Sequence, residues 1–461
     1  MKKYQIILLA TLFFVVIFYD EYLALNFGLF GLFNAVFAWY LAPEKNKTRL
    51  FITLFVCAIL SSFAFIWFND GPSFIAIISS LLLLNLKAKA RNLKPLMVIP
   101  IAVTNACTFI CRVFDFDKWL PKSNEGKSWQ QMIAVILIPF VFLSLFFAIY
   151  TYGSDHFANL FVDWEWNFNF LHFFALLVLG FFLAFNYWNF VVLRSIYESN
   201  RYLNNDFDAK RISNKPSFSF LSLDFERLSG VVTFFALSIL LVIFIFTFNY
   251  EQFGERINDS TLSEETHERV AAVIMSIAMA IVVIMFYFKS GFNFDSNAKL
   301  LKIAAYAWIL LNAILVLSTM VKNTEYVYHF GLTYKRLGVY AFLILSLLGL
   351  VFTWYKISAK KTNVFLFNTM IWSVYGMILV CSWLNWGGIV TQYNLKQSDF
   401  DLNYLLNEVH LNEKDLLDYA QQHDNKLLEN EVIHKIKNKQ RSQFLSKVLY
   451  YETVRFQEHS K

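Results

Sequence analysis

Long apolar runs recur along the chain, each closed by a short polar or charged stretch. They are Tyr4–Tyr19, Leu23–Leu41, Leu50–Phe68, Ser73–Leu86, Met132–Tyr152, Phe168–Phe190, Val231–Tyr250, Ala271–Phe288, Ile303–Val321, Leu337–Tyr355 and Val364–Leu384. A helix crossing a bilayer needs ~20 mainly apolar residues. Lipid offers backbone groups no partner, so a spanning segment has to satisfy its own. The pattern therefore predicts an all-α integral membrane protein with about eleven transmembrane helices. The first and fourth runs are short for a perpendicular crossing, which predicts tilt or thin flanks.

A twelfth run, Leu96–Val113, contains Pro100, Thr104, Asn105 and Arg112 and follows a basic stretch, residues 87–94. Counting it as a span would reverse every later loop, and the distribution of positive charge decides the matter. With the run lying at the interface and the N-terminus cytoplasmic, the inner segments carry 25 of the 40 Lys and Arg, the short outer loops 5, and the tail 10. The opposite choice would put the acidic loop around Asp155, Asp163 and Glu165 inside and the basic 194–227 loop outside. Leu96–Val113 is thus expected to be an interfacial or re-entrant helix.

Composition agrees. Of 461 residues, 57% are hydrophobic, 52 are Phe and only 16% are charged, too much apolar surface for one aqueous core. Gly and Pro are scarce (15 and 7), which suits long helices. The net charge of +6 lies between apolar runs, where topology determinants belong, so a nucleic-acid partner has no support. Cys57, Cys107, Cys111 and Cys381 lie in or beside apolar runs and read as small buried hydrophobes. The first run follows Met1-Lys2-Lys3, but Tyr19-Asp20-Glu21-Tyr22 lacks a small-residue cleavage pattern, so it is read as an uncleaved span.

Four regions follow: residues 1–86 with the first four spans; 87–131, a basic cytoplasmic segment with the interfacial helix; 132–384 with seven spans and a cytoplasmic loop at 194–228; and 385–461, a small helical extramembrane domain. In the last, Leu402, Leu405, Leu406, Val409, Leu416 and Leu417 recur at helical spacing, which predicts a helix over 401–421. Leu428, Val432, Ile436, Phe444, Val448 and Tyr451 predict another over 427–459.

Chemistry-bearing residues are sparse inside the spans, where the polar groups are amides and hydroxyls: Asn34, Asn186, Asn189, Asn312, Asn368, Thr319 and Ser373. Interhelical hydrogen bonding is their expected role. A coupled transporter ordinarily keeps a charged group at membrane depth, so its absence weighs against a pump. Polar residues gather instead at the outer surface: Asp20, Glu21, His267, Glu268, Glu325, His329 and Arg336 form the candidate cluster. Two His with several carboxylates suit a metal or acid–base site, although helix capping and dipole compensation explain many of them equally well. No phosphate loop, GxSxG, HExxH or kinase signature occurs, so no cofactor or metal site is assigned. The Asp20-Glu21 turn is also too tight for the substrate groove of a lipid-linked sugar transferase.

The stretches Thr266–Val270, Tyr326–Tyr340 and Asn385–Leu395 resemble a family of bacterial polytopic membrane proteins catalogued as a domain of unknown function (numbers 4153 and 4173). Gly331-Leu-Thr-Tyr-Lys-Arg336 and the Tyr393-Asn394 ending carry the likeness, which covers roughly 194–404. It is closest to versions in Bacteroidota and implies an inner-membrane protein of a Gram-negative cell, with no activity to carry over. The leading functional expectation is a non-enzymatic envelope component or accessory subunit, in contact with the lipid bilayer. Its tail, periplasmic in this topology, would bind a membrane or periplasmic protein. The alternatives are a transporter or channel for a neutral or lipidic solute, and an enzyme acting on a lipid-linked substrate.

Overall fold

The computed structural model of the chain describes residues 2–120, 128–154, 156–157, 169–208, 220–254, 262–289 and 291–456. Among these the chain is helical throughout, with no strand beyond an isolated bridge between Asp206 and Lys361. Eight helices are long and apolar enough to cross a membrane. The predicted runs at 4–19 and 23–41 form shorter helices, α1 (Lys3–Phe18) and α2 (Leu25–Leu41). At 1.5 Å per residue the 16-residue α1 is about 24 Å long, about 6 Å short of the hydrocarbon thickness. The predicted span 132–152 lies within the 26-residue helix Ser128–Gly153.

The ambiguous run is broken. A 3₁₀ turn at Pro95–Met97 leads into Val98–Cys107, the chain bends at Thr108, and Phe109–Phe114 and Phe116–Trp119 follow as separate short pieces. Ten helical residues reach about 15 Å, half of what a crossing needs. Arg112 explains the bend's fixity: it donates to the Asn189 carbonyl (2.7 Å), the Asn105 carbonyl (2.8 Å) and the Asn186 amide oxygen. A cation on the carbonyls that end a helix is well placed in the helix field.

The described chain divides into two compact units, one of residues 1–93, 97–197 and 437–461, the other of 94–96 and 198–436. The first unit packs α1, α2, α3 (Arg49–Phe68), α4 (Gly71–Lys89) and the helix Phe170–Trp188. Phe14, Phe18 and Phe30 form its aromatic core, with ring centroids 4.3–6.5 Å apart. Glycine sets the distance between α2 and α3: a Cβ at Gly28 would stand 2.3 Å from Ile66 and 2.9 Å from the Ser62 carbonyl. Small residues that let helix backbones approach are the usual device of lipid-embedded packing.

The end of the chain returns to this unit. The 3₁₀ turn Phe444–Ser446 places Leu445 against Phe14, Ile17, Phe18 and Phe30. Ser446 Oγ accepts from the Tyr22 amide (2.7 Å) and donates to the Glu21 carboxylate. The Gln443 side-chain amide also faces this turn, and with its nitrogen turned inward it would donate to the Asp20 carbonyl (3.0 Å) and Glu21 Oε1 (3.2 Å). The turn after α1 and the last segment of the chain are thereby fastened together.

The second unit is built on the long helices Leu223–Gly254, Leu262–Tyr287, Lys299–Phe330, Tyr334–Ser358 and Asn363–Ser382. Its core includes Phe234, Phe288, Leu301, Leu315 and Leu343, all fully buried. The predicted tail helices are shorter than their periodicity suggested. Leu402–Asn407 and Glu413–Gln422 are separated where Leu411 adopts a left-handed conformation (φ 63°), and Lys426–Gln440 is followed by the 3₁₀ turn and a last piece, Leu449–Thr453.

The intramembrane amides correct another expectation. Asn34 donates to the Phe30 carbonyl, Asn312 to Trp308, Thr319 to Leu315 and Ser373 to Thr369, each one turn back on its own helix. The i−4 carbonyl is the nearest acceptor for a short polar side chain in lipid, and these groups take it in place of a neighbouring helix. Asn368 is different, donating to Asn205, 163 residues earlier in the chain (2.6 Å).

Candidate functional site

Two of the stretches that stand out in the sequence, Tyr326–Tyr340 and Asn385–Leu395, meet in the second unit. The helix Lys299–Phe330 ends at Gly331, whose φ of 78° is left-handed and open to glycine at little cost. The chain then passes Leu332, and the Asn394 side chain brackets that residue: Leu332 N–H donates to Asn394 Oδ1 (2.6 Å), and Asn394 Nδ2 donates to the Leu332 carbonyl (2.9 Å). One buried amide thus supplies both partners an exposed strand edge would need, satisfying a backbone otherwise costly to bury. A Cβ on Gly331 would stand 2.7 Å from Asn394 Oδ1. Thr333 then caps the next helix, accepting from Arg336 N–H (3.4 Å).

Arg336 folds back rather than outward. Its guanidinium donates to the Phe330 carbonyl (2.8 Å) and to that of Gly331, and it lies 4.6 Å from the Tyr326 ring centre. It therefore closes the carboxyl end of the preceding helix, where a cation is stabilised by the helix field and by the aromatic face.

The second motif holds the tail. Asn385 caps the helix Trp386–Asn394 by accepting from Gly388 N–H (3.0 Å), and its amide nitrogen reaches the Leu411 carbonyl (2.9 Å). Gly387 admits the tail backbone directly: a Cβ there would lie 1.7 Å from the His410 carbonyl oxygen. Asn412 donates to Thr391 Oγ1 and to the Leu405 carbonyl, both at 2.8 Å. The Tyr334 hydroxyl sits between the His410 amide and carbonyl (3.3 Å each), and the Tyr404 hydroxyl accepts from Tyr334 N–H (3.1 Å). Residues 401–415 are thus pinned to the two motifs at many points.

Asp415 belongs to the same knot, accepting from Gln392 (2.9 Å). Burial raises its pKa above the ordinary carboxylate value; the Gln392 hydrogen bond and Lys414 oppose the rise, and Asp418 adds to it. A carboxyl whose pKa is raised by folding binds protons more tightly in the native state, so it weakens the fold once ionised. Stability in this region is expected to rise as pH falls through the folded pKa toward about 3.8, the unfolded value. Asp415→Asn keeps an acceptor for Gln392 and should raise the melting temperature at pH 7 while flattening its slope from pH 7 to 4. An unchanged slope in a pH series of thermal melts would contradict this.

The predicted outer cluster is placed as follows. Asp20, exposed, and Glu21, fastened to Ser446, belong to the first unit. In the second unit Glu325 pairs with Lys322 one turn back (3.1 Å), His329 is exposed with its ring edge-on to Tyr328, and Arg336 closes the helix end. His267 and Glu268 lie near the start of the helix Leu262–Tyr287, and their side chains fall outside the described residues. Among the described residues no three His, Cys, Asp or Glu are grouped to hold a metal ion.

Two kinds of residue escaped the sequence reading. Asn394, Asn412, Tyr334 and Tyr404 hold the knot; Tyr334 and Asn394 lie inside the stretches that stand out in the sequence, and Asn412 and Tyr404 lie outside them. Lys356 is the residue that follows the predicted run Leu337–Tyr355. It is fully buried, donating to the Phe288 carbonyl (2.7 Å) over the Phe288 ring. No carboxylate lies within ion-pair distance of it among the described residues.

A family model described as Domain of unknown function (DUF4153) matches residues 27–417. The match extends the resemblance through the N-terminal helices, beyond the 194–404 that the motifs carried. No curated protein and no solved structure matches the chain.

Proposed function

The chain belongs to the DUF4153 family, a domain of unknown function, and from that premise we propose that it is a non-enzymatic membrane component whose C-terminal segment presents a docking surface to a protein partner. One observation carries the reading. Asn385 and Tyr334 of the two motifs bond the tail backbone at residues 410 and 411, Gly387 gives that backbone room, and Asn412 reaches back to Thr391. Fixing an extramembrane segment that firmly has a use if the segment is presented to something. Beyond it, the helix Lys426–Gln440 turns Leu428, Val432 and Ile436 inward and leaves Leu427 (85% exposed), Asn430, Glu431 and His434 outward.

The finer topology belongs to the same proposal: eleven spans, a cytoplasmic N-terminus and a tail on the outer face of a bacterial inner membrane. Positive charge supports it, with 25 Lys and Arg on inner segments against 5 on short outer loops. The tail contact adds independent support. Ser446 touches the turn after α1, so an even number of crossings separates residue 22 from residue 446. Ten spans with a non-crossing 96–113 satisfy that condition, and eleven do not.

The test is affinity purification of the full chain from native cells in mild detergent, with bound proteins identified by mass spectrometry. Leu427→Asp with His434→Asp changes only exposed positions and is expected to release a stoichiometric partner that the unmodified chain retains. A chain that purifies alone, or a partner indifferent to the double variant, would end the docking reading and move the weight to transport of a neutral or lipidic solute.

A further inference from the structure

We propose that the groove between the helices Leu262–Tyr287 and Tyr334–Ser358 seats one acyl chain of an anionic phospholipid, with the lipid phosphate on Lys335. The groove is open, about 430 Å³, and lined by Ile274, Gly338, Val339 and Phe342 with Lys335 at its rim. It is a shallow depression open to the surroundings, as a site for a chain lying along the surface would be. Gly338 faces open space: no atom lies within 4 Å of where a Cβ would stand, so a larger side chain there would grow into the depression. Phe342 and Met275 are exposed beside it, so the groove continues an apolar surface on helices long enough to span a membrane.

Charge selects the kind of lipid. Lys335 is the second residue of its helix, where the helix field disfavours a cation. Its neighbour Arg336 escapes by folding back onto the Phe330 and Gly331 carbonyls. Lys335 is exposed and has no ion pair or hydrogen bond among the described residues. A phosphate at the helix start would pair with the ammonium and also meet a favourable end of the helix dipole. An acyl chain running from that point along Gly338 and Phe342 follows the helix direction into the apolar layer. A zwitterionic headgroup offers the same chain but no net charge for Lys335, so the site is expected to favour an anionic lipid.

The experiment is native mass spectrometry of the full-length protein in detergent, titrated with phosphatidylglycerol or phosphatidylcholine. The unmodified chain should take up its first phosphatidylglycerol ~5-fold more tightly than phosphatidylcholine, the effect of about one lysine at a membrane surface. Lys335→Gln, an exposed change, should erase that preference. Gly338→Leu, which grows into open space, should lower the first binding step for both lipids. Equal binding of the two lipids, or a preference untouched by Lys335→Gln, would overturn the anionic assignment. Unchanged uptake in Gly338→Leu would overturn the groove.

Discussion

Gly387→Ala is expected to release the tail and destabilise the protein by roughly 3 kcal/mol or more. The added methyl group would lie 1.7 Å from the His410 carbonyl oxygen and 3.1 Å from the Tyr334 hydroxyl. The obstacle is backbone, which cannot rotate away as a side chain can. Moving it breaks the Asn385–Leu411 bond and the paired contacts of Tyr334 with residue 410. Limited proteolysis of the purified protein should show faster cutting between residues 395 and 425, alongside a lowered melting temperature. A variant as stable and as resistant as the parent would mean that the tail does not sit on residue 387.

Lys356 is the second position of large expected effect. Its ammonium is buried against the Phe288 carbonyl, which also accepts from Asn293 (2.9 Å). Lys356→Glu would set a carboxyl group against a carbonyl oxygen with no water to solvate it, at a cost of about 3–5 kcal/mol. Lys356→Met keeps the stem and leaves Phe288 its Asn293 donor, so it should stay within about 1 kcal/mol of the parent. Membrane-fraction yield and thermal melts distinguish the two. A methionine variant as damaged as the glutamate variant would show that the charge itself is needed.

These two residues also mark what the sequence could and could not disclose. Spans were legible because lipid imposes one rule along the whole chain, an apolar run that satisfies its own backbone. Charge gave the 96–113 segment its interfacial reading, and the structure breaks that run into short helices. Lys356 was not: it follows an apolar run as any interfacial anchor does, and its burial comes from the segment around Phe288 and Asn293, some 60 to 70 residues away. Glu21 read as a candidate polar site, whereas its contact with Ser446 joins positions 425 residues apart with no local pattern to announce it. Arg336 was singled out as part of the outer polar cluster, but its partners are carbonyls, which every residue carries and no sequence motif displays. The tail helices ran long in the periodic reading because apolar spacing continues through Leu411, where the backbone turns left-handed.

The account turns on the last segment of the chain being fixed to the turn after α1. The most direct measurement is an oxidative cross-link in the full chain between Glu21→Cys and Ser446→Cys, with the four native cysteines replaced by serine. The structure places these side chains in hydrogen-bonding contact, so rapid disulfide formation in membranes is predicted, in a chain that remains monomeric on a denaturing gel. Absence of the cross-link under conditions that oxidise a control pair would contradict the tail's position, and with it the topology and the docking surface built on it.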